Sequence, residues 1–577
     1  MSPPAAHWRL LGELLRPHRA RVAGLGVLLA MAAALPLGVP QLLRAFIDAV
    51  VAGAPTTRLV AIAAAVAGLG LAAQALSVMA GWGATALSWT VTNRLRERAA
   101  AHALDLDLGF HLGTTPGAMI ERVDGDVTAI ADFFSEFAAK IVSGLLTLVG
   151  VVVLVTVEDH RLGLSLLLLV VVTGALVVRL RDGAVRQQTA ARAAHAALFG
   201  EVEERVAGAE DLRALGSGEH ALERFRERSA SVLSTGVTAE LAGARVWMVL
   251  NGVIAGAGVA VLAIGAVAER RGAMTVGTVF LLLSYTRAIR RPLELVAEQL
   301  QRVQKAAAGA SRVARLLDER PTMPTTGRRS LPSGPLAVDL DAVDFAYGDE
   351  RVLSGIDLHL APGRVLGVVG RTGSGKTTLG RLALRLADPT GGAVRLGGVD
   401  AREVDHEVLR ARVAVVTQDV QLFSASVRDN LTLFRDAAAA DAALEGALDE
   451  VGLRAWRRGL PDGLATVVGA HGIGLSAGEA QLLALARVFL ADPGLVVLDE
   501  ASSRVDPATE RLVTAALERL VAGRTAVVVT HRLAVLEHAH EVAVLDSGRL
   551  VEHGGRDALA DDPRSRLAGL LALEAVA

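Results

Sequence analysis

The 577-residue chain contains no cysteine, so disulfides, thiolate nucleophiles and cysteine-held zinc are excluded from the outset. Aromatic residues make up 3% of it, with only two tyrosines, and each tyrosine therefore asks for a reason. Neither sign of charge is in excess: 59 basic against 61 acidic residues leave a formal net charge of -2, with no basic tail. Such a chain has no global field with which to attract nucleic acid. A cleavable leader is not expected either, because Trp8 to Arg21 is too charged for the apolar core of one.

What the chain has in quantity is apolar sequence. Hydrophobic residues reach 52% and the mean hydropathy is +0.43, and the apolar residues concentrate before about residue 290. The length suits two large domains, so a membrane half is expected first and a water-facing half second. A spanning helix needs ~20 apolar residues. Six stretches qualify: Val22 to Ile47, Leu59 to Trp82, Ile141 to Val157, Leu162 to Leu180, Val246 to Val267 and Val276 to Ala288. The last is short unless it continues past its arginines. Ahead of the first, Trp8 to Arg21 reads as an amphipathic helix lying along the headgroups.

Spans one and two, three and four, and five and six are joined by brief loops. Spans two and three, and four and five, are separated by about sixty residues with helical patterning and many arginines. Long basic segments belong in the cytoplasm, which puts both termini inside; Arg270 and Arg271, in an outer loop, run against that rule. The region from Pro321 to Pro335 is rich in Pro, Gly, Ser and Thr and reads as a linker. The expected division is thus 1–320, 321–335 and 336–577.

In the last of these, Gly370-Arg371-Thr372-Gly373-Ser374-Gly375-Lys376-Thr377 fits G-x-x-x-x-G-K-[ST], with an apolar strand running into it and a helical pattern leaving it from Thr378. Glycines let successive backbone N–H groups curl around a phosphate, Lys376 can reach the outer phosphates, and the Thr377 hydroxyl can ligate Mg²⁺. Further on, the apolar run Leu495 to Leu498 ends in Asp499, the expected magnesium-holding partner. Glu500 beside it is placed to orient and deprotonate an attacking water.

Other stretches carry a resemblance. Phe110 to Arg122, followed by Asp124 and Asp126, and Leu212 to Phe225 resemble the two coupling-helix regions of the ABC exporter family. Leu475-Ser476-Ala477-Gly478-Glu479, about twenty residues before Asp499, resembles that family's signature LSGGQ. The resemblance covers nearly the whole chain. It implies a multidomain membrane protein, an all-α six-helix transmembrane domain followed by an α/β P-loop ABC ATPase domain. Its ligands would be ATP and Mg²⁺. It also implies roles: Tyr347, which sits between the expected strands Leu336 to Val343 and Arg351 to Leu360, stacking on adenine; Gln418 offering its amide oxygen to Mg²⁺ or the attacking water; Thr378 joining the phosphate loop. Ser476 and Gly478 would face the γ-phosphate, Ser503 to Asp506 would cross to the partner subunit, and His531 would contact the γ-phosphate. The expected function is ATP-driven transport, foremost export of a small amphipathic molecule. Import of a siderophore-like molecule and a slowly hydrolysing regulatory subunit are the alternatives.

Two departures matter. In this family each ATP is held between the phosphate loop of one ATPase domain and the signature of another, so two chains must pair. Ala477 puts a Cβ where glycine permits close approach, and Glu479 puts a carboxylate near an anion. An intact ATP-binding half beside an altered signature favours a heterodimer with asymmetric sites over a homodimer. Ala470 also stands where the family commonly has Glu. Finally, Arg287, Arg290 and Arg291 share one helical face; either Arg287 lines an inward cavity that favours anionic or polar amphipathic cargo, or the three snorkel to the cytoplasmic headgroups or pair with Glu294 and Glu298.

Overall fold

The computed structural model describes residues 12–323, 327–435, 439–469, 472–499, 507–530 and 533–574. It divides into two compact units, one within Met1–Leu104 and Pro116–Glu319, the other within Asp105–Thr115 and Arg320–Ala577.

The first unit is helical. Among the described residues, five of its helices are long and apolar enough to cross a membrane: α1 (Gly12–Val51), α2 (Thr56–Asp105), α4 (Pro116–Glu158), α5 (His160–Ala207) and α7 (Gly218–Arg270). Short helices α3 (Leu108–Leu112), whose residues belong to the second unit, and α6 (Ala209–Ala214) fall in the two long segments that resemble coupling regions. Large apolar side chains such as Leu71, Trp82 and Val157 face outward, as they do when lipid rather than a protein core receives them. The amphipathic N-terminal helix expected from Trp8 lies partly outside the described residues; its described end is the start of α1, which tightens for one turn at Arg16–His18.

Val276 to Ala288, expected as a sixth span, is not among these five. α8 (Val276–Ala288) stops at Ile289 and α9 (Arg290–Asp318) begins at once. Pro292 supplies the reason: it has no N–H for the carbonyl of Ala288, whereas in the first turn of α9 that N–H would have no partner anyway. The brief loops are closed by caps. The Asp159 carboxylate accepts the Arg161 N–H at 2.7 Å, and the Thr275 hydroxyl accepts that of Thr278 at 3.1 Å, satisfying helix-start donors. Tyr285, fully buried, donates its hydroxyl to the Leu37 carbonyl at 2.8 Å. Asp126, also buried, holds Arg312 of α9 through two hydrogen bonds, so the one deeply buried carboxylate among these contacts is paired, as burial of charge demands.

The second unit carries the sheets. β1 (Val338–Tyr347), β2 (Glu350–Leu360), β4 (Gly391–Leu396) and β5 (Val399–Asp400) form an antiparallel sheet in the order β2-β1-β4-β5. A six-stranded sheet joins β3 (Val365–Gly370), β6 (Val413–Val416), β9 (Leu495–Asp499), β10 (Thr525–Val529), β11 (Glu541–Asp546) and β12 (Arg549–Gly555), in the order β12-β11-β3-β10-β9-β6. β7 (Ala425–Ser426) and β8 (Val467–Val468) make a small pair. The central strands β3, β9 and β10 are apolar and buried almost throughout, the pattern of parallel strands covered on both faces. Tyr347 is the last residue of β1, not part of a connection between strands: the hairpin extends until Tyr347 pairs with Glu350, and Gly348, at φ 58°, takes the left-handed turn position.

Candidate nucleotide site

Four neighbouring parallel strands end at the same edge of the sheet, and the segments leaving them hold the predicted chemistry. Val529 of β10 lies level with Val368 of β3 and Asp499 of β9, and Val416 of β6 lies level with Leu498. In spatial order these strands lead to Gly370–Thr377, His531, Glu500 and Gln418. Ligands of open α/β sheets collect outside such carboxyl ends. Glu500, His531, Ser503 to Asp506 and Ala470 lie outside the described residues. Gln418 is exposed two residues past β6.

The loop after β3 depends on its glycines. Gly373 and Gly375 sit at φ 83° and 101°, left-handed values that side chains resist. A Cβ on Gly370 would come within 2.1 Å of the Leu545 carbonyl oxygen, and one on Gly375 within 2.5 Å of Leu353. Gly375 opens helix α10 (Lys376–Ala383), so that helix's first N–H groups face the loop. Lys376 is largely buried, and its ammonium donates to the carbonyls of Gly370 at 2.7 Å and Arg371 at 3.0 Å. The Thr377 hydroxyl stands 3.4 Å from an Asp499 carboxylate oxygen, which brings the two predicted magnesium-holding groups together. Arg371, Thr372 and Gly373 are exposed, while Thr378 is buried. Ser374 is 3% exposed and its Oγ has no hydrogen-bond partner among the described residues. Beside the loop, Arg566 donates to Asp546 at 2.8 Å; this contact, then the Ser547 hydroxyl and the charge of Arg371, holds the Asp546 carboxyl below its ordinary range.

Tyr347 packs edge-on against Phe345, centroids 4.7 Å apart, and its hydroxyl accepts a hydrogen bond from Arg381 of α10 at 2.9 Å. Both face a cleft of about 510 Å³ that also includes Asp388 and Thr390. The role of Arg381 was not read from the sequence; its only signal was a basic residue on the helix that leaves the phosphate loop.

The signature stretch is built differently. Ser476 caps helix α11 (Ala477–Ala491), its Oγ accepting the Glu479 N–H at 3.2 Å. The Glu479 carboxylate folds back in turn, accepting the Ser476 N–H at 2.8 Å and the Ser476 hydroxyl at 2.9 Å. This is a complete capping box, and S-x-x-E was its visible signal.

Two sequence families match the chain: ABC transporter transmembrane region over residues 22–293 and ABC transporter over residues 353–503. An ATP-dependent lipid A-core flippase of Chromobacterium violaceum is 31% identical over 564 residues, covering 96% of this chain and 95% of that protein. The chain belongs to the ABC transporter family. A multidrug efflux ATP-binding/permease protein of Mycobacterium tuberculosis is 32% identical over 553 residues; the match takes 95% of this ABC transporter but 46% of that longer protein. A bacterial Atm1-family ABC exporter, solved with ATP bound, superposes with a TM-score of 0.77 at 23% identity, covering 96% and 98% of the two chains. That likeness establishes the fold: a helical transmembrane domain with an ABC ATPase domain. This transporter is a membrane protein whose ATPase domain couples ATP hydrolysis to transport.

The loop fits what that activity requires. The Ser374 hydroxyl, without a partner among the described residues, the Gly370 and Gly375 positions that admit no Cβ, and the Thr377–Asp499 pair are what a triphosphate with Mg²⁺ would need.

Proposed function

We propose that the chain is one half of a two-chain ABC exporter that moves a small amphipathic molecule bearing negative charge. The observation that carries the cargo class is a cleft of about 620 Å³ within the helical unit. Its one wall is apolar, with Val259, Leu262 and Leu283; its other end carries Asn251, Arg287, Arg290, Arg291 and Glu294. Glu294 pairs with Arg290 at 2.8 Å and Arg291 at 3.6 Å, while Arg287 has no ionic partner among the described residues. A guanidinium at membrane depth costs ~2.5–3.5 kcal/mol unless water or a partner receives it. An anionic headgroup against Arg287, with its tail on the apolar wall, would relieve that cost.

In the ATPase domain, Lys376 would leave the loop carbonyls for the outer phosphates, and Tyr347 would stack on adenine. Thr377 and Asp499, with Gln418 nearby, would hold Mg²⁺, whose charge offsets that of the triphosphate. Glu500 would accept the proton of the attacking water, and His531 would donate to the γ-phosphate. The names of the flippase and efflux relatives support export. Pairing with a different ABC chain is favoured over self-pairing because Ala477 and Glu479 alter only the surface offered to a partner's ATP, while Lys376, Asp499 and Glu500 remain.

Tagged chain purified from its own membranes tests the reading. A second ABC half-transporter should co-purify, and liposomes holding the complex should accumulate an anionic amphiphile in an ATP-dependent way. Arg287→Ala should lower its uptake about tenfold relative to a neutral analogue. Equal uptake of both probes by wild type and variant would remove the cargo class. Recovery of the chain only with itself would leave a homodimer.

A further inference from the structure

At the end of the helical unit that carries its short loops, three helices are tied by charge. Arg44 of α1 donates to Glu158, the last residue of α4, at 2.7 Å. One turn along α1, Asp48 accepts the Thr275 hydroxyl and the Gly277 N–H, each at 3.0 Å, at the start of α8. Arg44 also lies 3.9 Å from Asp48. The approach of α1 to α8 is close: a Cβ on Gly277 would come within 2.5 Å of Asp48 and 2.6 Å of the Arg44 carbonyl oxygen. The three side chains are only about 30% exposed, which sets them apart from surface ion pairs of negligible worth.

The same helix has a place to bend. Pro36 and Pro40 lie inside α1, and each removes one intrahelical hydrogen bond. Between them, the Leu37 carbonyl is held by the buried Tyr285 hydroxyl of α8 at 2.8 Å. Asp48 lies eleven residues beyond Leu37, ~16 Å along a helix. A fixed point, two prolines and a charged contact at the far end make a lever.

We propose that Arg44, Asp48 and Glu158 form a latch that holds the outer segment of α1 against α4 and α8, and that its release accompanies opening of this end of the transporter. The inference rests on the reading of the chain as a transporter that alternates between two states. The latch sets how often the open state is visited before nucleotide binds; Tyr285 and the prolines let the segment swing without leaving the bundle.

The absence of cysteine makes the test direct. Spin labels on Val51→Cys and Val276→Cys, both exposed positions on the two sides of the contact, report the α1–α8 distance by pulsed electron spin resonance in the complete complex in nanodiscs. Without nucleotide, the latched protein gives mainly the short distance. Glu158→Gln, which removes one charge with no change of shape, and Asp48→Asn should each raise the long-distance population about threefold or more. Arg44→Ala with Glu158→Gln should add little to either alone, since both break one contact. Unchanged distances in these variants, or additive effects of Arg44 and Glu158, would overturn the latch. A wild-type distance that ignores ATP and Mg²⁺ would instead count against alternation itself, and a shift in the variants would still support the latch.

Discussion

Gly370–Thr377 and Leu475–Glu479 each lead into a helix N-terminus, and they leave their serines in opposite conditions. Ser374 is buried with an Oγ that bonds to nothing described around it. Ser476 both accepts from and donates to Glu479, whose carboxylate also takes the Ser476 N–H. A buried hydroxyl without a partner costs free energy in the folded chain, and on the proposed reading a phosphate would supply that partner to Ser374. Ser476 is content within its own helix. On the proposed reading the first loop is shaped for a phosphate, whereas the second is shaped by the helix it starts, and any anion reaching the second must contend with a carboxylate already in place.

The comparison can be broken most sharply at the first loop. Lys376→Ala removes the cation that now bonds the Gly370 and Arg371 carbonyls, and phosphate release should fall about 10²–10³-fold, the scale of losing a preorganised charged donor; a loss under about threefold in a steady-state assay would contradict the assignment. The two serines then separate. Ser476→Ala deletes a helix cap and should cost ~1 kcal/mol of stability, lowering the melting temperature of the ATP-free protein. Ser374→Ala should leave that temperature unchanged or higher, yet weaken ATP binding about tenfold. Equal melting shifts would erase the distinction drawn above.

Glu479→Gln keeps the capping geometry and removes the charge. Like charges a few ångströms apart at a partly solvated site cost roughly 1 kcal/mol, so turnover of the assembled complex should rise about fivefold; no change in the ATPase rate would mean that the signature of this chain does not meet phosphate. The smallest effect concerns the neighbouring loop edge. Arg566 holds the Asp546 carboxyl low in the folded protein, so this pair adds stability above the unfolded value of ~3.9 and loses it as pH falls through the lower folded value. Arg566→Ala should therefore lower stability slightly at neutral pH, with the difference from wild type vanishing as pH falls through the folded value of Asp546, and move the acid-unfolding midpoint upward by a few tenths of a unit; an identical midpoint would remove the contact from the account.

How much of this could be read beforehand follows the same contrast. Chemistry that depends on backbone shape leaves its mark in the sequence, since only glycine tolerates the φ of Gly373 and Gly375, and a strand ending in Asp499 beside a phosphate loop has few other uses. The helical spans were legible because lipid demands length and apolarity. The break at Ile289 was half legible, through Pro292. Tyr347 was expected between strands and ends one instead, because hairpin length is set by pairing and turn geometry that propensity does not reveal. Contacts such as Arg381 with Tyr347, Asp126 with Arg312, and Asp48 with Gly277 join residues far apart in the chain, and no local pattern announces them. The meaning of Glu479 was legible only in part. Its charge was evident, but that it engages the very serine it follows required the geometry.

The measurement closest to the central claim joins both halves of the molecule. In liposomes carrying the assembled transporter, magnesium-dependent phosphate release and movement of an anionic amphiphile are followed together for wild type and for Glu500→Gln. If hydrolysis after β9 drives cargo past Arg287, both should drop together by about 100-fold or more while ATP still binds. Amphiphile movement that continues in the variant, or phosphate release that does not fall, would contradict the account.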